Sequence, residues 1–188
     1  MEHSRSKDGS ITESLAKRLK IILEQYHNHQ FGEEKYEVTL SLAVLQTLLT
    51  HFNEIIKNKN YCLINEEIKN SKYWHISDKS ILLNTFPGRL TAVYILRHIR
   101  NAMSHPNATD HSEYHKTGYI TKSNNFGEIK SIRFINVNKE DSSKVFMIEF
   151  KKKEIINFVY VLTQFLTEPI KNENEYNISP YKSLIPND

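Results

Sequence analysis

A chain of 188 residues, 39% hydrophobic and 25% charged, is long enough to bury one core without metal or disulfide staples. Its single cysteine, Cys62, excludes an internal disulfide and a cysteine-rich zinc site, and fits a reducing cytoplasm. The formal charge of +3 is too small to demand a nucleic-acid partner but leaves room for a local basic patch.

The first ten residues, MEHSRSKDGS, have no apolar core, so a secretory signal is not expected and residues 1–9 read as a disordered N-terminus. No apolar run approaches the roughly 18 residues of a membrane span, and a cytoplasmic protein is expected. Ser10-Ile-Thr-Glu13 has the form of a capping box, and Leu15, Leu19, Ile22 and Tyr26 recur behind it at helical spacing. A helix over 11–29 follows. A second helix is expected from Glu37 to Lys57, with Val38, Leu42, Leu45, Leu48, Leu49, Phe52, Ile55 and Ile56 in one seam. It is the best candidate for a central helix.

Residues 58–86 carry weaker patterns, with a short helix over Asn65–Tyr73 and a turn or two over Ser77–Leu83. Pro87 suits a first helical turn and opens a helix to Ser104, with Leu90, Val93, Leu96, Ile99 and Met103 as its apolar stripe. Pro106 then disfavours helical geometry at His105. After residue 116 the period changes. Thr117–Lys122, Ile129–Val137 and Lys144–Phe150 are β-rich runs separated by turn sequences. Helical spacing returns over 152–168 with Ile155, Val159, Leu162 and Leu166, and Pro169 closes it. The expected fold is mainly α: a bundle of four to five helices with a small antiparallel β-meander inserted before the last long helix. Residues 10–170 make one domain, the insertion covers about 117–150, and 171–188 form an extended tail.

Candidate chemistry concentrates in LRHIRNAMSHP, residues 96–106. At about 100° per residue, Arg97, Arg100, Asn101 and Ser104 share roughly a third of the helix circumference. A solvated face at the favourable end of a helix dipole is the plainer reading. Against it, arginines in successive turns repel unless an anion lies between them, and Asn101 is a mediocre helix former with no capping role. The functional reading is a phosphodiester site. Arginine offers a planar, permanently charged fork to phosphate oxygens, and histidine can move a proton near neutrality. With RNA, the substrate's own 2′-hydroxyl can attack, so no metal ligand set is required.

Arg100-Asn101-Ala102-Met103-Ser104-His105 resembles the R-N-x-x-x-H form of the R-x(4–6)-H motif of HEPN domains. These are helical-bundle proteins, many of them metal-independent endoribonucleases of toxin–antitoxin, phage-defence and CRISPR systems. The resemblance implies Arg100 and His105 as catalytic pair and Asn101 as an orienting group. It further implies a homodimer with a composite cleft, no cofactor, and products with a 2′,3′-cyclic phosphate and a 5′-hydroxyl. An antitoxin or other regulatory protein is a possible partner. The sequence departs from relatives that carry H-x-Y after the motif, since here it reads His105-Pro106-Asn107. The β-rich insertion also lies outside the minimal bundle.

Other residues carry weaker signals. His111 and His115 have a metal-like spacing, but their surroundings read as loop, so no metal site is expected. Lys151, Lys152 and Lys153 begin the last helix, where positive charge opposes the dipole, and RNA phosphate tracking would account for them together with Arg97 and Ser104. Tyr73, Trp74 and His75 could stack on bases, though a core plug is the simpler role. Cys62 reads as a small buried hydrophobe. Two functions stay open: a HEPN endoribonuclease, and a non-catalytic HEPN-type module binding RNA, a nucleotide or a protein. A metal-dependent nuclease using the histidine loop is a third.

Overall fold

The computed structural model describes residues 11–29, 36–51, 53, 64–70, 73–105, 116–125 and 127–167. The expectations placed on Ser10, the N-terminus, Cys62, Pro106, His111, His115 and the C-terminal tail lie outside these residues.

Helix α1, Ile11–Asn28, buries Ala16 and Leu23, two turns apart on one face, and carries a Glu13–Lys17 ion pair of 3.1 Å. Helix α2, Glu37–Leu49, buries Val38, Ser41, Val44, Leu45, Leu48 and Leu49. The expectation carried α2 on to Lys57; the helix stops at Leu49 and passes into a turn at Thr50 and His51, Asn53 is again helical, and residues 52 and 54–57 lie outside the described residues.

Among the described residues of the Asn65–Tyr73 stretch, Asn65 is helical and Ile68–Asn70 form a tight turn, tied down by the Ile68 N–H donating to the Leu90 carbonyl at 2.8 Å. Trp74 is fully buried, with Tyr73 edge-on at 5.0 Å and Phe165 and Phe158 at 5.3 and 6.4 Å. It is a core plug. The stretch read as helical turns at Ser77–Leu83 instead contains a short turn, Asp78–Ser80, and then strand β1, Ile81–Asn84. An apolar run of three residues is too short to show a period, and pairing with a distant strand decides its conformation.

Helix α3, Ala92–Ser104, begins five residues later than expected. Thr91 takes the cap, its hydroxyl accepting from the Tyr94 N–H at 3.2 Å. Pro87 and Gly88 belong to the preceding turn, where Gly88 has φ +129° and a Cβ would come 3.2 Å from the Tyr94 ring. Strands β2 (Gly118–Ser123), β3 (Ile129–Val137) and β4 (Val145–Lys151) follow, and helix α4, Lys152–Thr167, completes the described chain.

The strands form one antiparallel sheet in the order β1-β4-β3-β2. In register, Ile132 lies opposite Phe150, Phe134 opposite Ile148 and Asn136 opposite Phe146. The inward face of that pairing shares a single core with α1–α4, Trp74 included. The opposite face is part apolar, with Ile135, Val137, Val145, Met147 and Ile120, and part polar, with Arg133 bonded to Glu149 at 2.7 Å.

The expected mainly α bundle with a small inserted meander is therefore wrong. The chain is an α+β fold in which a four-stranded sheet supplies one wall of the main core, with helices packed on it. The central helix is α4, not α2. It packs on α1, α2, β3 and β4, and Ile155, Phe158, Val159, Val161, Leu162, Phe165 and Leu166 bury it on nearly every side.

Candidate functional site

The candidate site is built where α3 runs out against the far end of β3. Helix α3 lies on β2, β3 and α2. Its Ile95, Leu96, Ile99, Ala102 and Met103 are in the core, and so is one polar residue, His98, at 5% exposure. The His98 ring stacks on Phe146 at 4.5 Å and 19° and meets Tyr94 at 4.5 Å and Phe86 at 4.7 Å. Its Nδ1 is 2.7 Å from Nδ2 of Asn136 on β3. With the amide donating, the neutral ring carries its proton on Nε2. Burial pushes the His98 pKa from 6.5 down to about 4, and the neighbouring Arg97 charge adds to the effect.

Helical spacing then sorts the other residues of the motif. Taking His98 as facing the sheet, Asn101 stands about 60° from it, whereas Arg100 is about 160° away. Arg97 and Ser104 fall between. Arg97 and Ser104, opposite the buried arc, are exposed, as is His105, whereas Arg100 and Asn101 border that arc and are half-buried. Arg100 Nη2 donates to Asn101 Oδ1 at 3.3 Å, and the Ser104 hydroxyl donates back to the Arg100 carbonyl at 2.9 Å. His105 has left helical geometry, with φ −131° and ψ 73°, while its N–H still reaches the Ala102 carbonyl at 3.3 Å.

An open groove of about 1070 Å³ lies beyond this helix end. Asn101 and His105 of the helix end line it together with Phe86, Lys116, Thr117 and the strand-end residues Asn136 and Asn138 to Glu140. Arg97, Arg100 and Ser104 are not among its lining residues. Two of the groove's polar groups are occupied in holding the fold. Thr117 Oγ1 donates to the Val137 carbonyl at 3.1 Å and accepts its N–H at 2.9 Å. Asn138 Oδ1 accepts the Glu140 and Asp141 N–H groups at 2.8 and 3.1 Å.

The lysine run stands elsewhere. Lys151 pairs with Ser131, six residues along β3 from Val137, which puts the run about 20 Å from the groove. Lys152 Nζ bonds Glu128 at 3.0 Å and Glu37 at 3.3 Å, tying α4 to α2 and to the β2–β3 turn. Burial works against its charge, and the two carboxylates outweigh burial and raise its pKa. Glu154 accepts the Lys151 N–H at 2.8 Å as a first-turn cap. The charge clash expected at this helix start is therefore met by carboxylates. Lys151 and Lys153 are exposed.

Lys116, Lys139, Phe86 and Asn136 were not singled out from sequence. Asn136 had a readable signal: it is a poor strand former at the inward position of the series Ile132, Phe134, Asn136. Among the described residues no cluster of three or more His, Cys, Asp or Glu is placed to hold a metal, and no helix is long and apolar enough to cross a membrane.

No curated protein and no solved structure matches the chain significantly. Residues 1–173 do match one family, so an Arg-Asn…His helix end beside a mixed polar groove sits in a chain that belongs to the HEPN pEK499 p136 family.

Proposed function

We propose that the protein is a metal-independent endoribonuclease of the HEPN type, a toxin or phage-defence effector. The supporting observation is that Asn101 and His105 of the family-type motif line an open groove with Lys116 and Lys139. RNA lies in the groove with its phosphates near the lysines. His105 moves the proton of the attacking 2′-hydroxyl or of the leaving 5′-oxygen. Arg100 neutralises the charge that builds on the phosphoryl oxygens, and Asn101, bonded to Arg100, fixes the guanidinium fork. The products are a 2′,3′-cyclic phosphate and a 5′-hydroxyl end. Because His105 lines the groove and Arg100 does not, the working cleft is assembled by two copies of the chain, each supplying what the other's face lacks.

The experiment is cleavage of labelled RNA by the purified chain in EDTA. Activity persists, and Arg100→Ala and His105→Ala each lower it about 10²–10⁴-fold with circular dichroism and oligomeric state unchanged. Full cleavage by both variants refutes the roles given to them. RNA binding with no cleavage by the wild-type chain favours the non-catalytic module, and inhibition by EDTA favours a metal-dependent nuclease.

A further inference from the structure

The groove has a wall that the cleavage chemistry does not use. Asn136 ends the inward row of β3, lines the groove, and is 7% exposed. A buried amide costs free energy unless it is paired, and one of its N–H groups is engaged by His98 at 2.7 Å. His98 is itself held by three aromatic rings, so Asn136 is fixed in orientation rather than left to rotate. An amide carries a second N–H and a carbonyl oxygen, the donor–acceptor pair that matches the edge of a nucleobase. Phe86, which packs its ring on His98, lines the same wall and offers an aromatic surface. Glu140 on this wall is unfavourable to a phosphate but suits an exocyclic amine. Lys116 and Lys139 beside it suit the phosphates on either side of such a base.

We propose that the Asn136–Phe86 wall of the groove is a base-reading subsite, with Asn136 the specificity-determining residue and His98 its positioning residue. The ligand is an unpaired nucleotide of single-stranded RNA, because base edges inside an A-form duplex are out of reach. This rests on the reading of the groove as an RNA site, and it adds that recognition there depends on the base.

The test uses the full chain carrying His105→Ala, so that bound RNA stays intact. The probes are short unstructured RNAs identical except for a central run of A, C, G or U. Fluorescence anisotropy at one fixed salt concentration gives the four affinities. The best and worst RNAs differ by about tenfold or more, and Asn136→Ala in the same background narrows the spread to about threefold or less. Removing Asn136 alone strands the His98 ring nitrogen and can unsettle the fold. The paired variant His98→Phe with Asn136→Leu replaces both polar partners together; once folding is verified by circular dichroism, it also loses base discrimination. Equal affinities for the four RNAs, no binding to any of them, or a spread unchanged by both variants overturns the proposal. The nuclease reading fails separately: a wild-type chain that binds with this base preference but does not cut leaves the Asn136 assignment standing.

Discussion

Burial of His98 makes a quantitative prediction about acid stability. The unfolded chain gives this imidazole its ordinary pKa near 6.5, whereas among Phe86, Tyr94 and Phe146 it falls to about 4. The folded state therefore binds fewer protons than the unfolded state between these values. The stabilisation is fully present above about pH 6.5 and is lost as pH falls towards 4. The whole interval is worth about 3 kcal/mol, and by pH 5 about 2 kcal/mol has gone. Paired carboxylates such as Glu128, held down to about 2 chiefly by Lys130 and then by Lys152, weaken the fold at still lower pH. Their effect is common to any variant that leaves them in place. The comparison is thus wild type against the paired variant His98→Phe with Asn136→Leu, by urea denaturation from pH 7.5 to 4.5. The gap between the two stability curves shifts in favour of the variant by about 2 kcal/mol on going from pH 7 to pH 5. Parallel curves, or a folded-state NMR titration of His98 with a midpoint near 6.5, refute the reasoning.

Two further outcomes follow from packing and charge. Trp74→Ala empties the fully buried contact with Tyr73, Phe158 and Phe165 and lowers stability by about 3–5 kcal/mol in equilibrium denaturation; a loss under 1 kcal/mol would mean the indole is not a core plug. Lys152→Met breaks the half-exposed pairs with Glu37 and Glu128, costs about 1 kcal/mol, and leaves RNA affinity within about twofold of wild type. A tenfold loss of RNA affinity with unchanged stability would instead return Lys152 to a phosphate-binding role.

Local signals located most elements but misjudged how they combine. The helices at 11–28 and 152–167 and the three β-rich runs lie close to their expected places, because each carries a period of its own over at least six residues. Strand β1 was not legible. Its four residues become a strand only by pairing with β4, more than 60 residues later in the chain, and that partner cannot be seen locally. Once β1 joins, the meander is no longer an insertion but a wall of the core, which is what overturned the bundle. The start of α3 was misplaced because Pro87 and Thr91 both suit a helix start, and only the Thr91–Tyr94 bond decides between them. At the site, the Arg-Asn…His spacing pointed to this helix end, whereas of the other groove residues only Asn136 left a local signal, since the strands bring Lys116, Asn136 and Lys139 there.

His98 also changes what the motif helix is doing. Arg97, Arg100, Asn101 and Ser104 lie on one arc of α3, whereas the two histidines of the stretch have different surroundings. His98 is spent inward and locks α3 to β3 through Asn136. His105, one residue past the end of the helix, lines the groove. Arg97 and Arg100 lie outside the groove lining, on the side where the proposed second copy and its RNA would approach. The buried histidine costs stability in acid, but it fixes the angle at which the helix end is presented. A composite cleft needs that angle held closely, because a catalytic pair divided between two chains has no covalent geometry of its own to keep it in line.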